Sequence, residues 1–375
     1  MTSRTTPRGG WTLLIGVLAL APGALLGGCA TFPAAEELRD TVAVYPGGAL
    51  PAVHDGRARF RQIFCELVEP ASDQVVKRTS CDDLLWRLQD EASTDDRPAL
   101  PGLAADLRVF VVSGAFSDCR EPATVPFEDG IARLASRGIS IEPVKVSGRS
   151  GPEHNARQLA EAVRAARISA GERIVMIGYS KGAVDVLQFL SDDPELARQV
   201  VAVVSVAGAI QGSPLAGEVD WWYRTFFDES FAGTCDPGDG LVLQSLLPAT
   251  RRAWLETHAL PAHVAYFSLA AFTTEEHLSN GLRATWKLLA GHDRRNDGQL
   301  VIGDAVIPGS TLLGYVNADH WDLAIALERQ MPYLSARKSS RQLPRTELLE
   351  AMLLHVSEVV GADADRRAVS TAVAP

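Results

Sequence analysis

Ile174-Val175-Met176-Ile177-Gly178-Tyr179-Ser180-Lys181-Gly182-Ala183 begins as an unbroken apolar run, breaks at a Gly-x-Ser-x-Gly turn and continues in helical spacing. A run without polar alternation fits a strand buried on both faces, as in a parallel sheet. Side chains at 178 and 182 would crowd so tight a strand-to-helix turn, which is why glycine is wanted there. At the apex the Ser180 hydroxyl is lifted out of the sheet, before the free N–H groups of a helix N-terminus.

Outward from this stretch, strand and helix alternate. Strands are expected at 107–112, 139–146, 173–177, 200–206, 263–269 and 312–316. Helices are expected at 127–136, 156–166, 183–190, 278–290, 323–331 and 343–360. The fold class is therefore α/β, a mostly parallel central sheet flanked by helices. Its ligand site belongs at the C-terminal strand ends. The rhythm breaks between 212 and 262, where Gly212-Ser213-Pro214 leads into Trp221, Trp222, Tyr223, Phe226, Phe227 and Phe231. This is expected to be a cap insertion, whose aromatics either line an acyl pocket or pack the cap onto the core. Before the core, residues 29–57 read as a Pro/Ala/Gly-rich tether. Residues 58–104 read as a helical segment, with Ile63, Phe64, Leu67 and Val68 and then Leu84, Leu85, Trp86 and Leu88 as two helical patterns. The core domain runs over 105–361, and 362–375 read as a flexible tail.

A serine hydroxyl is a weak nucleophile without a base, and the base needs an acid to orient it. His263, His277, His292 and His320 all follow the cap. His263 opens a strand, His277 sits in an acidic exposed stretch and His292 suits a helix end. His320, just past the last strand in Asn317-Ala318-Asp319-His320-Trp321-Asp322, is the best placed. Its acid is expected in the turn Arg295-Asn296-Asp297-Gly298, as Asp297, with Asp293, Asp304 and Asp319 as rivals.

Gly178-Tyr179-Ser180-Lys181-Gly182, Asn296-Asp297-Gly298 with Leu300-Val301, and Asp319-His320-Trp321-Asp322 together resemble the α/β-hydrolases. The acid and base elements are similar to those of secreted bacterial lipases, over a layout spanning roughly 105–335. Those lipases usually carry Gly-His-Ser-x-Gly, whereas Tyr179 and Lys181 flank the serine here. The resemblance implies Ser180 as nucleophile, His320 as base and Asp297 as its acid. It also implies an oxyanion hole from the N–H groups of Lys181 and of Ala115, in the loop Val112-Ser113-Gly114-Ala115-Phe116, with Phe116 as the fallback. Lys181 reads either as an exposed helix residue lending only its backbone, or as an ammonium that favours an anionic head group.

The N-terminus is not expected in the fold. Arg4 and Arg8 precede an apolar stretch that ends in Leu26-Gly27-Gly28-Cys29, which resembles a bacterial lipoprotein signal. That resemblance implies removal of residues 1–28, diacylglyceryl attachment at Cys29 and, with Ala30 following, sorting to the outer membrane. A plain secretory signal or an uncleaved anchor are the other readings. Four cysteines remain, Cys65, Cys81, Cys119 and Cys235, an even number that in an exported chain suggests two disulfides. Three connectivities are possible; Cys65–Cys81, in one short segment, is favoured, leaving Cys119–Cys235. Their spacing does not suit zinc, and neither metal nor cofactor is called for.

The 375 residues carry 36 Lys and Arg against 46 Asp and Glu, a formal charge of −10, so nucleic acid is a poor partner. The expected function is a membrane-anchored serine hydrolase of small ester or lipid substrates in the bacterial cell envelope. Acyl transfer or thioester hydrolysis by the same residues is one alternative. A non-catalytic, lipid-anchored binding protein is the other.

Overall fold

The elements that carry the site grow from one alternation of side chains. In β3 (Leu107–Val112) Val109 and Val111 point to one face and Phe110 and Val112 to the other. In β5 (Arg173–Tyr179) Val175, Ile177 and Tyr179 oppose Ile174 and Met176 in the same way. With every position apolar from Val109 in β3 and from Ile174 in β5, both faces need cover, and helices supply it. The computed structural model describes residues 32–69, 80–93, 99–119, 123–218, 236–330 and 342–373.

Eight strands form one sheet: β1 (His54–Asp55), β2 (Leu85–Trp86), β3, β4 (Ser140–Val144), β5, β6 (Val200–Val206), β7 (Ala265–Phe272) and β8 (Thr311–Asn317). Their order is β1-β8-β7-β6-β5-β3-β4, every pair along it parallel, and β2 adds antiparallel to β8. One face is covered by α1 (Arg57–Val68), α2 (Glu128–Ser136) and the long C-terminal helix, through Phe60, Phe64, Leu134, Leu349 and Met352. The other is covered by α3 (Pro152–Ala165), α4 (Lys181–Asp192) and α5 (Pro248–Thr257). α3 buries Ala156, Leu159, Ala160 and Val163, an ordinary amphipathic stripe. α4 is buried from Lys181 to Leu190, being wedged between the sheet and α3.

The sheet is mostly parallel and flanked by helices, as expected, and the expected core strands are present. Differences concentrate at the β8 edge. The second N-terminal helical pattern is mostly not a helix: Ser80 caps a single turn, Cys81–Leu84, and the chain then extends as β2. Trp86 is buried there with its Nε1 donating to the Phe272 carbonyl at 2.9 Å. A short apolar run does not distinguish helix from strand; the unpaired edge of β8 does. The expected tether is likewise packed, with Leu38 and Ala43 buried against the same cluster as Trp86 and Tyr315, and His54–Asp55 paired to β8. In 323–331 only Leu327–Gln330 is helical, and Met331 lies outside the described residues. The last helix, α7 (Arg345–Val373), follows a further short one, α6 (Arg283–Leu289), and runs on well past Gly361.

Cys65 and Cys81 form a disulfide, Cα to Cα 5.4 Å. Cys119 is also disulfide-bonded; Cys235, the partner expected for it, lies outside the described residues. So do Cys29, residues 1–28, expected as a leader, and the aromatics from Trp221 to Phe231. Among the described residues no helix is long and apolar enough to cross a membrane.

Candidate active site

β5 ends in the tight turn its glycines foreshadow. Ser180 has φ 56° and ψ −127°, outside the regions a side chain prefers, and its N–H is held by the Val206 carbonyl at 3.0 Å. A Cβ on Gly178 would lie 2.6 Å from the Ala183 nitrogen, and one on Gly182 2.5 Å from the Ser113 carbonyl oxygen. Both positions therefore admit only hydrogen. The strained turn directs the hydroxyl away from capping its own helix and toward the loop after β8.

That loop brings His320 to it. His320 Nε2 lies 2.9 Å from Ser180 Oγ, and Nδ1 lies 2.7 Å from Asp297 Oδ2. Asp297 and His320 are buried, at 1% and 3% exposure. The other carboxylate oxygen of Asp297 accepts the N–H groups of Gln299 and Leu300 at 2.8 and 2.7 Å, an Asx turn that holds the acid by its own backbone. The His320 N–H donates to the Asp297 carbonyl at 2.8 Å, so acid and base are joined twice. With Nδ1–H given to Asp297, Nε2 presents its lone pair to the serine hydroxyl. Such an arrangement can take the hydroxyl proton and stabilise the imidazolium that results.

The rivals are engaged elsewhere. His263 Nε2 meets the Ala197 carbonyl at 2.9 Å, and His292 faces Glu218 and His277 faces Glu276. Asp293 is paired with Arg295. Asp319 accepts the N–H groups of Trp321, Asp322 and Ser279, shaping the turn that presents His320, and burial pushes its carboxyl up to about 7. Burial raises Asp304 similarly, to about 7, with no contact to the imidazole among the described residues.

The loop after β3 passes over the nucleophile: a Cβ on Gly114 would come within 2.9 Å of Ser180 Cβ. Among the described residues neither the Ala115 nor the Lys181 N–H has an acceptor. The Phe116 N–H is taken by the Gly148 carbonyl at 3.1 Å, which removes the fallback donor. Free N–H groups beside the serine are what a developing oxyanion requires.

Lys181 departs from both readings of its side chain. It is 1% exposed, and its ammonium meets Asp185 Oδ1 at 2.5 Å. Asn155 Nδ2 holds the second oxygen of Asp185 at 2.8 Å. The ammonium is therefore neither exposed nor facing a ligand head group. The spacing of Lys181 and Asp185, one helical turn, was the available signal for this pair. Also absent from the sequence reading is the Tyr179 hydroxyl, which donates to the His320 carbonyl. No group of His, Cys, Asp and Glu among the described residues is placed to hold a metal.

No family model matches this chain, and no curated protein sequence does. Solved structures do. The metagenomic carboxyl esterase MGS0156 superposes with a TM-score of 0.75 at 37% identity, over 86% of this chain and 98% of that one. Far more distant are the mature lipase BlEst2 of Bacillus licheniformis, at 20% identity and TM-score 0.46 over 66% of this chain and 96% of that one. EstA of Clostridium botulinum stands at 12% identity and TM-score 0.46, over 79% and 98%.

Proposed function

We propose, from the premise that this chain belongs to the α/β-hydrolase family of the carboxyl esterase MGS0156, a carboxylic ester hydrolase working through Ser180, His320 and Asp297. The observation that carries the assignment is the hydrogen-bonded chain from Asp297 through His320 to Ser180, at 2.7 and 2.9 Å. Its members come from three separate loops at the C-terminal ends of the strands, and a merely structural turn has no need of that convergence.

In this reading Ser180 Oγ bonds to the ester carbonyl carbon as its proton passes to His320 Nε2. Asp297 stabilises the imidazolium, and the Ala115 and Lys181 N–H groups receive the negative oxygen. Collapse breaks the C–O bond, and the imidazolium returns its proton to the departing alcohol. Water then attacks the acyl-serine with His320 as base, releasing the acid and restoring the hydroxyl. The chain is anchored to the cell envelope by lipid on Cys29 and sorted to the outer membrane. The lipoprotein-like Leu-Gly-Gly-Cys at 26–29 supports this, and it brings the enzyme to ester or lipid substrates at a membrane.

The test is hydrolysis of p-nitrophenyl esters, acetyl to palmitoyl, by the detergent-extracted full chain beside Ser180→Ala. Activity lost in the variant, with fluorophosphonate labelling lost in parallel, supports the assignment. Wild type and variant equally inert while folded would favour a binding protein. With residues 1–28 replaced by a cleavable secretory signal, Cys29→Ala is expected to move the enzyme from the membrane to the soluble fraction.

A further inference from the structure

The proposed triad fixes the imidazole of His320 by its two nitrogens, and the N–H of the same residue by Asp297. Its carbonyl is held by a residue the reaction has not so far used. Tyr179 is the last residue of β5, immediately before the nucleophile. Its ring belongs to the hydrophobic core on the α1–α2–α7 face of the sheet, with 4% exposure, and its hydroxyl donates to the His320 carbonyl oxygen at 2.6 Å. The two rings lie 5.2 Å apart, tilted by 32°.

We propose that Tyr179 is a positioning residue for the catalytic base, its hydroxyl locking the His320 main chain to the strand that carries Ser180. This rests on the triad reading and adds to it. β5 and the loop after β8 are not neighbours in the sheet, since β6 and β7 lie between them. A distance between Ser180 Oγ and His320 Nε2 that crosses two strands is free to drift unless something ties its ends. The phenol is a rigid strut of the right length, with two torsions and a polar tip that must find a partner once buried. It rises from the residue adjoining the nucleophile and ends on the residue that is the base. Motion of the loop therefore has to break this bond before it can separate imidazole from hydroxyl. Apart from the Nε2–Oγ bond itself, the remaining hydrogen bonds of His320, both to Asp297, fix it to the acid and not to the serine. The residue that replaces the lipases' histidine before the serine thus supplies the missing tie.

The experiment compares full-length, detergent-extracted wild type, Tyr179→Phe, His320→Ala and the double variant on one p-nitrophenyl ester, with Ser180→Ala as reference. Fluorophosphonate titration counts reactive sites in wild type and Tyr179→Phe, and circular dichroism gives the folded fraction of every variant, so rates are per folded site. Tyr179→Phe keeps the ring and removes only the donor. The expected result is a fall in kcat of about tenfold with KM within twofold, because misplacement of a catalytic group acts on the transition state. In the His320→Ala background the same change is expected to leave the residual rate unaltered, as no imidazole remains to be positioned. A structural role alone would lower the melting temperature and leave kcat per folded site at the wild-type value, which overturns the proposal. So would an equal fall in both backgrounds. If Ser180→Ala retains wild-type activity, the triad reading falls and Tyr179 falls with it. An inert Ser180→Ala beside an undiminished Tyr179→Phe removes the positioning role alone.

Discussion

Lys181 and Asp185 pair one turn apart on the nucleophile helix, both side chains 1% exposed, with Nζ 2.5 Å from Oδ1. The pair is not isolated. Arg251, stacked on Trp254 and donating to the Ile210 carbonyl, also acts on Asp185, and burial lowers its guanidinium pKa to about 10. One buried carboxylate thus answers two buried cations, and burial raises the Asp185 pKa against their pull. This makes the two halves of the pair unequal. Asp185→Asn leaves the Lys181 ammonium without its carboxylate and Arg251 with Glu153 alone, and is expected to destabilise by about 3–5 kcal/mol. Lys181→Met leaves Asp185 still facing Arg251 and is expected to lower stability by about 1–3 kcal/mol. Urea unfolding at neutral pH gives the order; a larger loss for Lys181→Met would show that Arg251 does not share the carboxylate.

Gly182→Ala tests how closely the nucleophile helix must approach the oxyanion loop. Its Cβ would meet the Ser113 and Val112 carbonyl oxygens at 2.5 and 2.6 Å, backbone atoms at the end of β3 that cannot move independently of the sheet. Fluorophosphonate labelling of soluble Gly182→Ala is expected to fall to a few per cent of wild type or less. Gly361→Ala is the matched control: nothing lies within 4 Å of its Cβ, in a helix. That change is expected to raise stability by about 1 kcal/mol, the usual helical preference of alanine. Retained labelling in Gly182→Ala would mean that the loop after β3 is not part of the site.

What could be read in the sequence was local or periodic. Gly178 and Gly182 declare the elbow because sterics admit nothing else, and the apolar runs of β3, β5 and β6 declare strands because a parallel sheet buries both faces. Asp297 was legible because an Asn-Asp-Gly turn holds its own carboxylate. The edge of β8 was not. Two-residue strands such as His54–Asp55 and Leu85–Trp86 have no period to detect, and only the unpaired partner strand selects them. Lys181 misled because a lysine is buried only where a partner waits, and part of that environment, Asn155, belongs to another helix. The Tyr179 hydroxyl depended on a loop 141 residues away.

Asp297→Asn separates orientation from charge at the proposed base. The amide would keep the bonds from Gln299 and Leu300 through its oxygen and present its NH2 to His320 Nδ1. That favours the tautomer with the proton on Nε2, facing Ser180, where it cannot take the hydroxyl proton. The expected loss is about 10³–10⁴-fold in kcat with KM nearly unchanged. A loss under tenfold in steady-state ester hydrolysis would point to another acid, with Asp304 the first to examine.

His355 ties stability to pH far from the site. It lies between Phe60 and Phe267, edge-on to both rings, with its Nδ1 unpartnered among the described residues. Burial depresses its pKa from 6.5 to about 4, with Arg59 adding to the fall and Glu358 opposing it. The unfolded chain takes up a proton below about 6.5 while the folded chain refuses it until about 4. This contribution to stability is therefore full above pH 6.5, declines as pH falls, and levels off below about 4. Between pH 7.5 and 5 the loss assigned to this one group is about 2 kcal/mol. His355→Phe removes the titration, and because the unpartnered nitrogen goes with it the substitution itself is expected to be mild at pH 7.5. Urea midpoints for both proteins at pH 7.5 and 5 isolate the difference from the opposing effect of Asp304 and Asp319, whose raised carboxyls favour the folded state on acidification. Wild type is expected to lose about 2 kcal/mol more than His355→Phe over that interval; parallel losses would place a proton or a water on His355 in the folded core.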